Sequence, residues 1–132
     1  MTGPAMPDAV TCGIRVRVDA TWLPEHSAPG ELRWAFSYTV TITNESDEPA
    51  TLLARHWVIT DGNGAVEHVR GPGVVGYQPA LTTGQSFRYT SGAILKTPSG
   101  MMEGEYLMAR ADGTRFEALI PPFALVTPEC VH

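Results

Sequence analysis

Gly71, Gly73 and Gly76, just behind Arg70, spell G-x-G-x-x-G, the spacing with which a dinucleotide-binding loop brings its backbone against a pyrophosphate. In such a loop the glycines follow a strand and open a helix whose N-terminal amides face the charge. That helix is excluded here. Gln78-Pro79 arrives two residues after Gly76; proline cannot continue a helix, and it biases the residue before it toward extended geometry. The segment is Gly-rich without being a Rossmann loop. It has two readings. Successive backbone amides can form a concave nest for phosphate oxygens, with Arg70, Gly71, Gly73, Gly76 and Gln78 as its contacts. Alternatively, the glycines only turn a corner between two sheets, where a positive φ is needed.

Other chemistry has less to work with. A serine or cysteine nucleophile needs a base within hydrogen-bond reach, and the four histidines, His26, His56, His68 and His132, are scattered without a nucleophile motif. Glu103 and Glu105 stand two apart, but Gly104 between them suggests a turn rather than a catalytic pair. Strand pairing could bring His56 and His68 together, yet two histidines fall short of the three or four ligands that zinc takes. Met101, Met102 and Met108 are soft ligands that more often fill gaps in a core. No enzymatic activity, metal or cofactor is expected. Tyr77 projects from the Gly-rich segment beside Val74 and Val75, and such a group suits contact with a protein partner on a loop held by a rigid scaffold.

The scaffold is a run of strands. At positions 34–42 the even residues are Trp34, Phe36, Tyr38, Val40 and Ile42, with small or polar residues between them; period two places one set on a packed face and the other in water. Ile14, Val16 and Val18 alternate with Arg15, Arg17 and Asp19, and Phe116, Ala118 and Ile120 with Arg115, Glu117 and Leu119. Residues 51–60 are nearly continuous in apolar side chains, as in a strand covered on both faces. Phe87 and Tyr89 mark a further strand, on which Ser91-Gly92 reads as the end. Turns are written at 61–64 (Asp-Gly-Asn-Gly) and at Asp112-Gly113, the latter a strong hairpin signal. Residues 24–30 and 44–49 are loops by composition. Trp22, Trp34 and Trp57 fall on strands and are expected in the core. About eight short strands with no helical periodicity make a β-sandwich the expected fold.

The totals fit one domain: 132 residues, with 1–9 as a flexible lead, 10–127 as the domain and 128–132 as a tail. Fourteen acidic against nine basic residues, a formal charge of -5, argue against a nucleic-acid partner. Two distant cysteines, Cys12 and Cys130, form no disulfide framework and suit a reducing compartment. No window reaches the roughly 18 apolar residues of a membrane span, and the N-terminus has no signal-peptide pattern, so a cytoplasmic location is expected. The acceptor pattern at Asn44-Glu-Ser46 has no meaning without secretion. An open sheet edge could pair two copies, leaving a monomer or a weak homodimer.

Several separately spaced motifs carry a family resemblance. Arg55-His-Trp-Val-Ile-Thr-Asp61, Val69-Arg-Gly-Pro-Gly-Val-Val-Gly76 and Gln78-Pro79 resemble the ApaG family. So does the continuation Phe87, Tyr89-Thr-Ser-Gly92, Thr97-Pro98, Gly100-Met101, Gly104, Tyr106, Met108, Gly113, Phe116 and Ile120-Pro121. Tyr77 departs from the acidic residue of many members and Thr83 from the usual proline. The resemblance implies an immunoglobulin or fibronectin type III-like sandwich. It also implies a protein-interaction module associated with magnesium and cobalt homeostasis, or a binder of pyrophosphate or nucleotide phosphates through the Gly-rich loop.

Overall fold

Alternating side chains build two antiparallel sheets that close on each other. A computed structural model describes residues 6–128 of the chain. Its strands are β1 (Asp8–Thr11), β2 (Ile14–Trp22), β3 (Trp34–Asn44), β4 (Ala50–Asp61), β5 (Val66–Pro72), β6 (Ala80–Leu81), β7 (Ser86–Leu95), β8 (Ser99–Arg110) and β9 (Arg115–Val126). One sheet has the order β1-β2-β3-β7; the other runs β5-β4-β8-β9, with the short β6 also paired to β4. The expected β-sandwich is the observed one.

The inward faces are those the alternation predicts. Ile14, Val16, Val18, Phe36, Tyr38, Val40 and Ile42 from one sheet meet Leu52, Trp57, Met102, Tyr106, Met108, Ala118 and Ile120 from the other in a single buried core. Removing this apolar surface from water is the main term holding the sheets together. Trp57 lies at its centre, edge-on to Tyr38, Tyr106 and Phe123. Trp22 and Trp34 pack against the rim of the core instead of inside it.

Four further expectations are corrected. Asp8 and Ala9, assigned to the lead over 1–9, belong to β1, and the Asp8 carboxylate accepts hydrogen bonds from Arg15 and Arg17 on β2. The strand over 51–60 is not covered on both faces; its outward residues remain half-exposed. Ser91-Gly92 lies inside β7, which runs on to Leu95. Gly104 does not turn the chain. It sits within β8 at a bulge after Met102, where a β-carbon would stand 1.9 Å from the His56 carbonyl oxygen. Residues 1–5 and the tail from 129 on, with Cys130 and His132, lie outside the described residues. Asn44 is fully buried, its amide donating to the carbonyls of Glu48 and Leu81, so the acceptor pattern there is structural.

The two sides of the sandwich differ. Where β1 and β9 approach each other, the Leu119 amide donates to Thr11 Oγ1 at 3.1 Å. On the opposite side the edge strands β5 and β7 belong to different sheets, and a cleft opens between them.

Candidate functional site

The Gly-rich segment is a strand end and a tight hairpin. Gly71 is still part of β5, directly opposite Arg55 of β4. The chain then turns through residues 74–77, where Tyr77 N–H donates to Val74 O and Val74 N–H to Tyr77 O, both at 2.8 Å. Val75 and Gly76 between them have φ of 43° and 87°. Positive φ at both central residues is the signature of a type I′ turn, which asks for Asn-Gly or Gly-Gly. Val75 is a β-branched residue in that left-handed position, a real conformational outlier.

Each glycine of the motif has a local reason. A β-carbon on Gly71 would stand 2.8 Å from Nη2 of Arg55, and one on Gly73 would stand 2.2 Å from the Tyr77 carbonyl oxygen. Gly76 meets nothing and serves its φ alone. The amides of Gly73, Val74 and Tyr77 are taken by Leu53 O, Tyr77 O and Val74 O. Gln78 spends its side-chain amide on the same Leu53 carbonyl. Arg70 stands opposite His56 in the β4–β5 register, one position out of phase with Arg55, so the two arginines leave opposite faces of the sheet. Of the five residues named as phosphate contacts, Gly73 and Gln78 are thus engaged within the hairpin and Arg70 lies on the other face of β5.

The partner surface needs one correction. Val74 is fully buried in the core and presents nothing outward. Val75 and Tyr77 are 49% and 62% exposed and form the tip of the hairpin, with the Tyr77 ring 6.0 Å from that of Phe87.

The structure brings His56 and His68 together, as strand pairing allowed. Their rings stack at 5.2 Å, His56 Nε2 lies 2.9 Å from His68 Nδ1, and His56 Nδ1 lies 3.0 Å from a Glu105 oxygen. With the His56 Nδ1–H donating to Glu105, its Nε2 accepts from His68, so the three groups share one hydrogen-bonded row. Among the described residues no three metal-ligating side chains gather as a cation would need.

Sequence reasoning missed the cleft between β5 and β7. It is about 590 Å³, lined by Phe36, Tyr38, Trp57, Val69 and Met102, with Arg55 and Glu67 also on its walls. Arg55 Nη1 donates to the carbonyls of Pro72 and Gly73, both at 2.9 Å, and no carboxylate pairs with it among the described residues. Burial pushes the Tyr38 and Tyr89 hydroxyls above their ordinary range, while hydrogen bonds and the Arg55 charge pull the other way. Arg55, half-buried, stands on the wall of this cleft. The sequence shows Arg55 on the same strand alternation as Trp57, which marks an inward cation but not the cleft itself.

Comparison with known proteins follows the same lines. The model of the ApaG domain family matches residues 24–110. The Protein ApaG of Pseudomonas aeruginosa (strain LESB58) is 52% identical over 119 residues, covering 90% of this chain and 94% of that one. The Protein ApaG of Anaeromyxobacter dehalogenans is 53% identical over 123 residues, covering 93% and 97%. The crystal structure of a Bordetella pertussis protein described as an ApaA protein superposes with a TM-score of 0.84 at 45% identity, over 95% of this chain and 98% of that one. The chain belongs to the ApaG domain family.

Proposed function

We propose that this chain is a non-enzymatic binding module whose partner surface is the hairpin tip formed by Val75 and Tyr77. One observation carries the reading: an apolar β-branched side chain is held at φ 43° and about half exposed, in a turn position that favours asparagine or glycine. Such strain costs on the order of 1–2 kcal/mol, and a half-exposed valine recovers little of it by packing, so the use assigned to it here is contact with another molecule. Tyr77 beside it adds a large amphipathic ring of the kind enriched in interface cores. The association with magnesium and cobalt homeostasis implied by the resemblance points to cytoplasmic proteins that handle divalent cations as partners. Pyrophosphate binding on the Gly-rich segment has less support, because three of its amides are engaged and Arg70 faces elsewhere.

The test compares proteins captured by the wild-type chain with those captured by a Val75→Asn/Tyr77→Ala variant. A Leu32→Ser variant, altered at a distant exposed apolar residue, serves as the control. The reading expects a specific partner held by the wild type and the control and lost by the hairpin variant. An identical partner set for all three would overturn it.

A further inference from the structure

We infer that the cleft between β5 and β7 is a binding site for an organic anion with one anionic head group, a carboxylate or a phosphate ester, on an apolar body, with Arg55 receiving the charge. This site is separate from the hairpin tip, and neither proposal depends on the other.

Three observations converge on it. The first is an unpaired cation. Nη1 of Arg55 is fixed by two backbone carbonyls, and the rest of the guanidinium has no carboxylate partner among the described residues. A planar fork held from behind in this way presents its remaining N–H groups to an anion in a set orientation, the arrangement that favours bidentate recognition. The second is the wall. Phe36, Trp57, Val69 and Met102 offer apolar surface, and the cleft of about 590 Å³ lies within the range typical of small-molecule sites. A few convergent polar groups in an apolar hollow are what such sites consist of, and here Ser91, directly across the β3–β7 pair from Tyr38, adds one to the wall that Arg55 shares.

The third observation limits the ligand. Glu67 also lines the cleft, opposite Ile59, four residues along β4 from Arg55. At the rise of a β-strand that separation is roughly 13 Å. The cleft therefore has a positive end, an apolar middle and a negative end. A carboxylate at the far end repels a second anionic group there, so an anion with one charged head and an apolar tail fits and pyrophosphate, charged at both ends, does not. An anion on Arg55 would also sit behind the Gly-rich segment, because the same guanidinium holds the carbonyls of Pro72 and Gly73. Any anion response of this chain would then originate under the glycines and not on their amides.

The experiment is a backbone amide and indole NMR titration of the full chain with four probes: hexanoate, hexyl phosphate, hexanol and pyrophosphate. The inference expects saturable shifts with hexanoate or hexyl phosphate at the Trp57 indole N–H, Val69, Ser91 and Ala93. It expects none with hexanol or pyrophosphate at the same concentration. The tighter of the two hexyl anions identifies the head group. Arg55→Gln, with its strand amides still dispersed, should weaken that binding by about tenfold or more. Glu67→Gln, at an exposed position, should strengthen hexyl phosphate more than hexanoate. Absence of saturable shifts with both hexyl anions, equal binding of hexanol, or shifts confined to residues 73–78 with pyrophosphate would each overturn the inference. So would an unchanged affinity in Arg55→Gln; if that variant does not fold, the wild-type shift map and Glu67→Gln still decide.

Discussion

The guanidinium of Arg55 lies against Gly71, its partner across the β4–β5 pair, and a β-carbon at Gly71 would stand 2.8 Å from Nη2. At Gly73, two residues on, the obstruction is backbone: the Tyr77 carbonyl oxygen would lie at 2.2 Å, and φ is +58°. The guanidinium can shift by a few tenths of an ångström and keep its bonds to the Pro72 and Gly73 carbonyls, and a carbonyl within a tight hairpin cannot shift as easily. Gly71→Ala is therefore expected to stay within about 1 kcal/mol of the wild type, since alanine is also less costly than glycine in a strand. Gly73→Ala should lose about 3 kcal/mol or more, combining left-handed strain with a backbone clash. Urea unfolding of the two variants checks this, and equal losses would contradict it.

Val75 and Gly76 provide the opposite test, a substitution expected to stabilise. Val75→Asn places a residue that tolerates left-handed geometry where a β-branched one is strained. The side chain is about half exposed, so little packing is lost. The expected gain is roughly 1 kcal/mol, visible as a raised denaturation midpoint with an unchanged slope. A loss of stability would mean that Val75 contributes to the fold, and the argument for a partner would lose its basis.

The sandwich was legible because period-two alternation is a local signal and each sheet has one buried face. Residues 34–42 declare their inward set without help from the rest of the chain. The Gly-rich segment was half legible: Pro79 excluded a helix, but only in the folded chain does Val74 turn inward while Val75 and Tyr77 turn out. Asp8–Thr11 was missed as a strand because its stability comes from pairing with β2 and from Asp8 carboxylate contacts, both non-local. The cleft could not be read at all. It depends on β5 and β7 ending up as edges of different sheets, which no spacing along the chain encodes.

The core contains a polar pair whose two halves need each other. The hydroxyls of Tyr89 and Tyr106 lie 2.5 Å apart, with Tyr106 fully buried and Tyr89 only 7% exposed. Removing one hydroxyl leaves the other without this partner in an apolar surround, at a cost of about 1–3 kcal/mol. Tyr106→Phe and Tyr89→Phe should each show that loss, and the double variant should lose less than the sum. Additive losses would mean that the two hydroxyls act independently.

The same tyrosines predict how the fold responds to alkali. Burial raises the Tyr38, Tyr89 and Tyr106 hydroxyls above their ordinary value of 10.0, Tyr106 well above it. A folded-state pKa above the unfolded one means that the unfolded chain releases its protons first as pH rises. Stability is therefore fully present below about pH 10 and is lost as pH climbs from there toward the folded-state values. In that window each such tyrosine steepens the fall by up to about 1.4 kcal/mol per pH unit. Urea midpoints measured across the window should decline, and tyrosinate absorbance of these residues should appear together with unfolding, not before it. Replacing Tyr89 and Tyr106 by phenylalanine should flatten the decline even though it lowers stability at neutral pH. A decline of the same slope in that variant would show that other groups drive the alkaline transition.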